Sequence, residues 1–134
     1  MKTATKFYEI LYVSTLVPSA PVTVVGSIVA HARIANAAAD ITGVLIFDGV
    51  RFCQQIEGRQ KDVLSLMERL YQDRRHCNVE VFHHGLLPER RFKHFSVAFA
   101  DVEDAPVLEQ LEQLDGQAGL NAFTALVATL KLQA

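Results

Sequence analysis

The stretch Ile41–Gly58, ITGVLIFDGVRFCQQIEG, decides the fold because it predicts a β-hairpin. The apolar run Val44–Phe47 is followed by Asp48-Gly49, a dipeptide that accommodates the positive φ angles of a tight turn. A second strand is predicted from Arg51 to Glu57. The hairpin places two strands of opposite direction side by side and so predicts an antiparallel sheet.

The second strand of this hairpin carries an amide among apolar side chains. Successive side chains point to opposite faces of a strand, so Phe52, Gln54 and Ile56 share one face. The residues on the other face are Arg51, Cys53, Gln55 and Glu57. Their charges predict that this second face is the wetter one, and Gln54 then points inward. A buried amide without partners costs roughly 1–3 kcal/mol, so we expect a polar group against Gln54.

The flanking sequence predicts a small α+β domain. The further predicted elements are a strand over Tyr8–Ser14 with Glu9 on its outer face, helices from Pro21 to about Ala38 and over Gln60–Tyr71, and strands over Cys77–Gly85 and Phe92–Phe99. This βαββαββ order predicts a ferredoxin-like sheet with two helices on one face and a C-terminal helical tail. We expect one domain over residues 1–100 and a helical extension over residues 101–134 that packs on the sheet or on a partner.

The tail contains two apolar segments separated by glycines. Val107, Leu108, Leu111 and Leu114 predict an amphipathic helix. Gly116 and Gly119 are expected to break it, and a second helix is predicted over Leu120–Leu132.

The composition argues against several classes of protein. A chain of 134 residues is long enough for one domain, and its net charge of -2 gives no sign of nucleic-acid binding. No apolar run is long enough to cross a membrane and no signal peptide follows Met1, so a cytoplasmic location is the default expectation. The two cysteines, Cys53 and Cys77, form no metal-ligand pattern, and no metal site is expected.

Two further polar positions stand out on the predicted helices. Asn36 lies eleven residues after Val25, close to three full turns, and therefore on the same apolar stripe facing the sheet. On the second helix Arg69 borders the core stripe, with Asp73 one turn later, so the two side chains can pair. The core stripe of that helix is Val63, Leu66, Met67 and Leu70.

Together these motifs resemble the BLUF domains, blue-light sensors that use a flavin. The hairpin strand matches the family pattern F-x-Q-x-x-E-G at Phe52–Gly58. Further matches in the family's order are Tyr12-Val13-Ser14, Asn36, Asp73-Arg74-Arg75-His76 and Arg90-Arg91-Phe92. The resemblance runs from roughly Tyr8 to Phe99.

The resemblance implies a photoreceptor without enzymatic turnover. It implies FAD as the cofactor, with FMN as an alternative, and the implied flavin-binding residues are Tyr12, Asn36, Gln54, Arg69, Asp73, Arg75 and His76. After excitation by blue light, Tyr12 would donate an electron and a proton would move through Gln54. The rearranged Gln54 amide would then shift the absorption to the red. Signalling would pass to a separate protein, through a homo-oligomer, and no membrane or nucleic acid is implied.

One segment departs from the family pattern. The late strand of the family usually carries Trp and then Met two residues on, whereas this chain has Phe95-Ser96-Val97. These three residues are the expected signal relay, so we expect output or dark recovery to differ from typical members. Two rival interpretations remain open: a small hydrolase of the same fold, and a flavin-free interaction module.

Overall fold

A sheet with helices against both faces makes up the described part of the chain. The structure, a computed structural model, describes residues 7–21, 23–92, 98–101 and 106–130. In chain order its elements are β1 (Phe7–Leu16), α1 (Val24–Ala38), β2 (Thr42–Phe47), β3 (Arg51–Gly58), α2 (Gln60–Gln72), β4 (His76–Leu87), β5 (Ala98–Asp101), α3 (Pro106–Glu112) and α4 (Gly116–Val127). This order confirms the predicted α+β architecture.

The sheet has the order β4-β1-β3-β2-β5, with β1 and β3 at its centre. β1 pairs antiparallel with β3 and β4, and β2 pairs antiparallel with β3. β5 runs parallel to β2. In the register of the two central strands Tyr12 lies directly opposite Gln54, so their side chains project from neighbouring points of the same face.

The β2–β3 hairpin turns at the predicted dipeptide. Gly49 has φ = 99°, which lies in the left-handed region that glycine tolerates. Oδ1 of Asp48 accepts hydrogen bonds from the backbone N–H groups of Val50 at 2.9 Å and Arg51 at 2.6 Å. This local chemistry sets the register of the β2–β3 pair, in which Leu45 lies opposite Gln54.

Helices α1 and α2 cover the first face of the sheet. Near α2 the buried cluster includes Ile10, Ile56 and Met67, and near α1 a second cluster includes Leu45 and Val29. The wedge between the two helices remains open and forms the cavity described below.

Helix α1 ends at Ala38, and a left-handed residue follows its C-cap. Asp40 has φ = 56°, and the backbone N–H of Ile41 donates to the carbonyl of Asn36 at 2.8 Å. This reversal closes the last turn of α1 and leads directly into β2.

Helices α3 and α4 cover the second face, and the prediction that this face is the wetter one is wrong. Cys53, Leu108 and Phe123 belong to one apolar cluster between the sheet and these helices. The charged and amide side chains expected in water are buried: the exposed fraction is 1% for Glu9, 0% for Gln55 and 0% for Glu57. The charges therefore mark a buried polar network rather than a solvated surface.

Helix α4 begins earlier than predicted. It includes Gly119 and ends at Val127, whereas a helix over Leu120–Leu132 was expected. A Cβ at Gly119 would lie 2.6 Å from Cδ2 of Phe82, so the missing side chain is what lets α4 approach β4. Gly119 thus serves close packing and does not end the helix.

Several predicted features lie outside the described residues. They include most of the strand expected over Phe92–Phe99, of which β5 begins at Ala98, together with the expected relay residues Phe95, Ser96 and Val97. In the ranges that the structure covers, no helix is both long and apolar enough to span a bilayer.

Candidate functional site

A cavity of about 410 Å³ opens between α1, α2 and the first face of the sheet. Its volume lies in the range of roughly 300–1,000 Å³ that is usual for cofactor pockets. Apolar walls come from Ile28, Ala32, Leu45, Phe52, Leu66 and Leu70. The structure brings all seven of the predicted site residues to this one cavity, namely Tyr12, Asn36, Gln54, Arg69, Asp73, Arg75 and His76.

Tyr12 and Gln54 form a hydrogen-bonded pair on the sheet side of the cavity. The Tyr12 hydroxyl donates to Oε1 of Gln54. Both side chains are buried. Burial raises the pKa of the Tyr12 phenol well above its ordinary value, with smaller contributions from Cys53 and Asp73. Tyr12 is therefore held as a neutral phenol, and its proton is directed at one acceptor.

The orientation of the Gln54 amide follows from that bond. Because Oε1 accepts from Tyr12, the amide nitrogen is the end with donors to offer to a further group. Asn36, buried on α1, adds a second amide to the cavity wall. A phenol and two amides on an apolar cavity suit a flat heterocycle with carbonyls and ring nitrogens along one edge.

His76 is fixed by two hydrogen bonds at the edge of the cavity. Its Nε2 lies 2.8 Å from the carbonyl oxygen of Leu70, which can only accept, so Nε2 carries a proton. Nδ1 lies 2.9 Å from Oγ of buried Ser14, and when the proton of the ring is on Nε2, Nδ1 accepts a hydrogen bond from the Ser14 hydroxyl. The ring meets Tyr12 edge-on, with centroids 6.3 Å apart. Ser14 thereby orients a cavity residue, a role that its position in β1 did not reveal.

Asp73 pairs with Arg75, and the expected pairing with Arg69 is not formed. Asp73 Oδ1 accepts from the backbone N–H of Arg75 at 2.9 Å, and Oδ2 accepts from Nη2 at 2.7 Å. The chain turns back after α2, so the guanidinium two residues on is nearer than the one on the helix. The Arg75 hydrogen bonds hold the pKa of Asp73 below its usual range. Arg69 forms no hydrogen bond or ion pair among the described residues.

A second polar cluster lies on the opposite face, under α3 and α4, and the sequence did not predict it. Gln55 Nε2 donates to Glu9 Oε1 at 3.1 Å and to Glu57 Oε1 at 2.9 Å. Arg91 binds both carboxylate oxygens of Glu9, at 2.8 and 3.0 Å, which raises the pKa of its guanidinium. His83 Nε2 lies 3.3 Å from the same carboxylate. One feature of the sequence did indicate burial here, because the apolar residues of the C-terminal tail predicted helices that pack on the sheet or on a partner.

Glu57 also holds the segment that follows β4. Its oxygens accept hydrogen bonds from the backbone N–H groups of Arg91 at 2.8 Å and Phe92 at 2.9 Å. Thr42 donates to Oε2 of the same carboxylate at 2.7 Å. Arg90 donates to the Thr42 hydroxyl at 2.9 Å and to the backbone carbonyl of Asp40 at 2.8 Å. One buried carboxylate thus ties the Arg90–Phe92 segment to the sheet.

The fold, the cavity and the Tyr12–Gln54 pair agree with the resemblance to the BLUF domains seen in the sequence. A family model described as sensors of blue light using FAD, BLUF, matches residues 7–98. The chain belongs to the BLUF family, whose domains bind flavin, and the resemblance seen in the sequence is confirmed.

Individual relatives agree with this assignment. The chain is 32% identical over 83 residues to the blue light- and temperature-regulated antirepressor BluF of Escherichia coli K12, covering 62% of this chain but only 21% of that protein. The dark-state structure of the BLUF protein BlrB matches with a TM-score of 0.75 and 27% identity, over 92% of this chain and 94% of that one. BlsA in its ground state shares the fold with a TM-score of 0.80, at 22% identity over 96% and 91% of the two chains.

Proposed function

We propose that this chain is a blue-light receptor that holds FAD in the cavity between α1 and α2 and uses Tyr12 and Gln54 as its photochemical pair. The observation that carries the proposal is the buried hydrogen bond from the Tyr12 hydroxyl to Oε1 of Gln54 at the cavity wall. A bound flavin would supply absorption of blue light and an acceptor for an electron. The side chains of the cavity would orient the flavin, and the Tyr12 hydroxyl would provide a proton along its hydrogen bond to Gln54.

The cavity residues have different proposed roles, which follow from their positions. Asn36 and Gln54 line the cavity, and their amide groups would hold the polar edge of the ring system. Tyr12 would give up its proton only through Gln54, because that oxygen is the acceptor of its hydroxyl. When the Gln54 amide reorients, its NH2 group takes the place of its oxygen beside the Tyr12 hydroxyl. The amide oxygen is then the atom available to a group in the cavity.

The basic groups at the cavity edge support a cofactor with a phosphate. Arg69 lines the cavity without forming an ion pair in the part of the chain that the structure describes. A guanidinium in that state is available to a phosphate oxygen. Arg75 is already bound to Asp73 and would act chiefly by shaping the edge of the cavity. We therefore assign the ribityl-phosphate end of the cofactor to Arg69.

The output is proposed to be contact with a separate protein in the cytoplasm, through a homo-oligomer, and not enzymatic turnover. The buried polar side chains at the cavity are amides and a phenol, and the titratable Asp73 and His76 are held by hydrogen bonds within the protein, so these groups do not form a tuned acid–base pair. One relative is described as an antirepressor, a name that implies regulation of another protein, and we extend that mode of action to this chain.

The test is the visible spectrum of the protein reconstituted with FAD, in the dark and after blue light. We expect a red shift that decays in darkness. Gln54→Leu should keep bound flavin and lose the shift, and Gln110→Leu, the same change at an exposed position on α3, should keep both. Bound flavin with no response in the unaltered chain would contradict the receptor function and favour a light-inert interaction module.

The identity of the bound flavin needs its own measurement. We expect FAD to be the form released from protein purified out of cells, measured by chromatography of the denatured sample. Arg69→Gln should weaken binding of both FAD and FMN without changing the red shift of the bound fraction. Equal affinity in that variant would remove Arg69 from the cofactor site.

A further inference from the structure

The β1–β3 ladder is cross-linked by side chains on both of its faces. On the cavity face Tyr12 of β1 donates to Gln54 of β3. On the opposite face Gln55 of β3 donates to Glu9 of β1 at 3.1 Å. Gln54 and Gln55 are neighbours in one strand, so a change in the local twist of the ladder when the first bond rearranges also moves the second.

Gln55 passes such a movement to Glu57, which is saturated with hydrogen bonds. Oε1 of Glu57 accepts from Gln55 Nε2 at 2.9 Å and from the Arg91 backbone at 2.8 Å. Oε2 accepts from Thr42 at 2.7 Å and from the Phe92 backbone at 2.9 Å. Hydrogen bonds to a buried carboxylate are short and strong, so the position of Phe92 follows the position of Glu57.

Phe92 in turn touches the helix that covers the second face. Its ring meets Phe123 of α4 edge-on, with centroids 6.5 Å apart and planes at 88°. Helix α4 has no side-chain cap at Asp115 and contains Gly119, so it depends on packing for its stability. Elements held in this way open more readily than the strands beneath them.

We propose that Glu57 and Phe92 are positioning residues that connect the flavin cavity to α4, and that α4 docks less tightly on the sheet once Gln54 has rearranged. The inference rests on the proposed light reaction. The route runs from Gln54 through Gln55, Glu57 and Phe92 to Phe123. The route includes no side chain from residues 93–97, the segment in which this chain lacks the Trp and Met of the family pattern.

The test is amide hydrogen exchange of the full chain reconstituted with FAD, in the dark and under continuous blue light. We expect exchange in α4 to become roughly fivefold faster in light, which equals about 1 kcal/mol of opening free energy. Exchange in α2 should not change. Glu57→Gln keeps the shape but replaces one acceptor oxygen with a donor, and it should retain the red shift while the light effect on α4 falls below about twofold.

Phe92→Leu is the second variant and removes the ring contact without disturbing the carboxylate. It should also retain the red shift and lose the light effect on α4. The matched control is Phe82→Leu, an aromatic side chain that contacts α4 from β4. It should speed exchange of α4 in both states and leave the ratio of light to dark unchanged.

The outcomes separate this inference from the proposed function. A normal red shift with no exchange change at α4 in the unaltered chain would overturn the inference and leave the receptor function standing. The inference also fails if both Glu57→Gln and Phe92→Leu keep the full light effect. A chain reconstituted with FAD that shows no red shift would overturn both.

Discussion

Gly43→Ala tests how closely the two strands of the hairpin must approach. A Cβ added at Gly43 would lie 1.9 Å from the backbone oxygen of Gln55, whereas ordinary contacts begin at 3.4 Å. The strands would have to separate by the difference, about 1.5 Å, which stretches a hydrogen bond of normal length beyond its useful range. β2 and β3 therefore cannot keep their register unchanged in this variant.

The expected cost follows from two effects. Overpacking in a tightly fitted interior costs roughly 1–3 kcal/mol. Each ladder hydrogen bond lost adds a net cost of about 0.5–1.5 kcal/mol. We expect the free energy of unfolding to fall by roughly 2–4 kcal/mol, a large part of the roughly 5–15 kcal/mol that holds an ordinary domain together.

The assay is urea denaturation followed by far-ultraviolet circular dichroism. The matched control is Gly85→Ala in β4, where an added Cβ meets nothing within 4 Å and the stability should change by less than about 0.5 kcal/mol. If Gly43→Ala were as stable as Gly85→Ala, the close approach of β2 to β3 would not constrain the hairpin and the reasoning would be refuted.

Three further predictions concern α4 and the cavity. Gly119→Ala should destabilise the chain by about 1 kcal/mol in the same assay, because crowding against Phe82 exceeds the gain in helix propensity; a stabilised variant would contradict this. Since burial raises the pKa of Tyr12, the size of the red shift should stay constant as pH rises from 7 to about 10, where an ordinary tyrosine ionises, and a decline below that pH would show an accessible phenol. Because the pKa of Asp73 is lowered, its pair with Arg75 stabilises the fold above about pH 4 and this contribution is lost as pH falls through the lowered value. The urea midpoint of Asp73→Asn should therefore approach that of the unaltered chain at acid pH, and a difference that grows with acidity would have the wrong sign.

The sequence predicted the first face of the sheet well, because periodicity alone places a side chain on a face. Alternation within β3 predicts that Gln54 faces inward, and helical spacing predicts that Asn36 lies on the buried stripe of α1; both residues are buried. The position of Tyr12 beside Gln54 depends on the pairing of β1 with β3, which the family resemblance implied. Their roles as flavin contacts stay predictions.

The second face could not be predicted in the same way. Charged and amide side chains in a strand predict a face in contact with solvent, but a carboxylate such as Glu9 or Glu57 is stable in the protein interior when enough hydrogen-bond donors surround it. Those donors come from Arg91 and the backbone after β4, far along the chain, and no local pattern reveals them. The Asp73 pairing was missed for a related reason: the turn after α2 brings Arg75 closer than the helical spacing brings Arg69.

The cluster around Glu9 restricts how this chain can change over generations. Arg91, His83 and Gln55 all point at its one buried carboxylate. Losing one partner of a fully buried ion pair typically costs about 3–5 kcal/mol, and the cost is lower for Arg91, whose side chain is 34% exposed; replacing the whole set with apolar groups can be neutral. A stepwise exchange of these residues must therefore pass through intermediate sequences that are less stable than both the original and the final sequence. Drift at these positions should proceed by compensated double changes, and Arg91 is the residue least able to change alone.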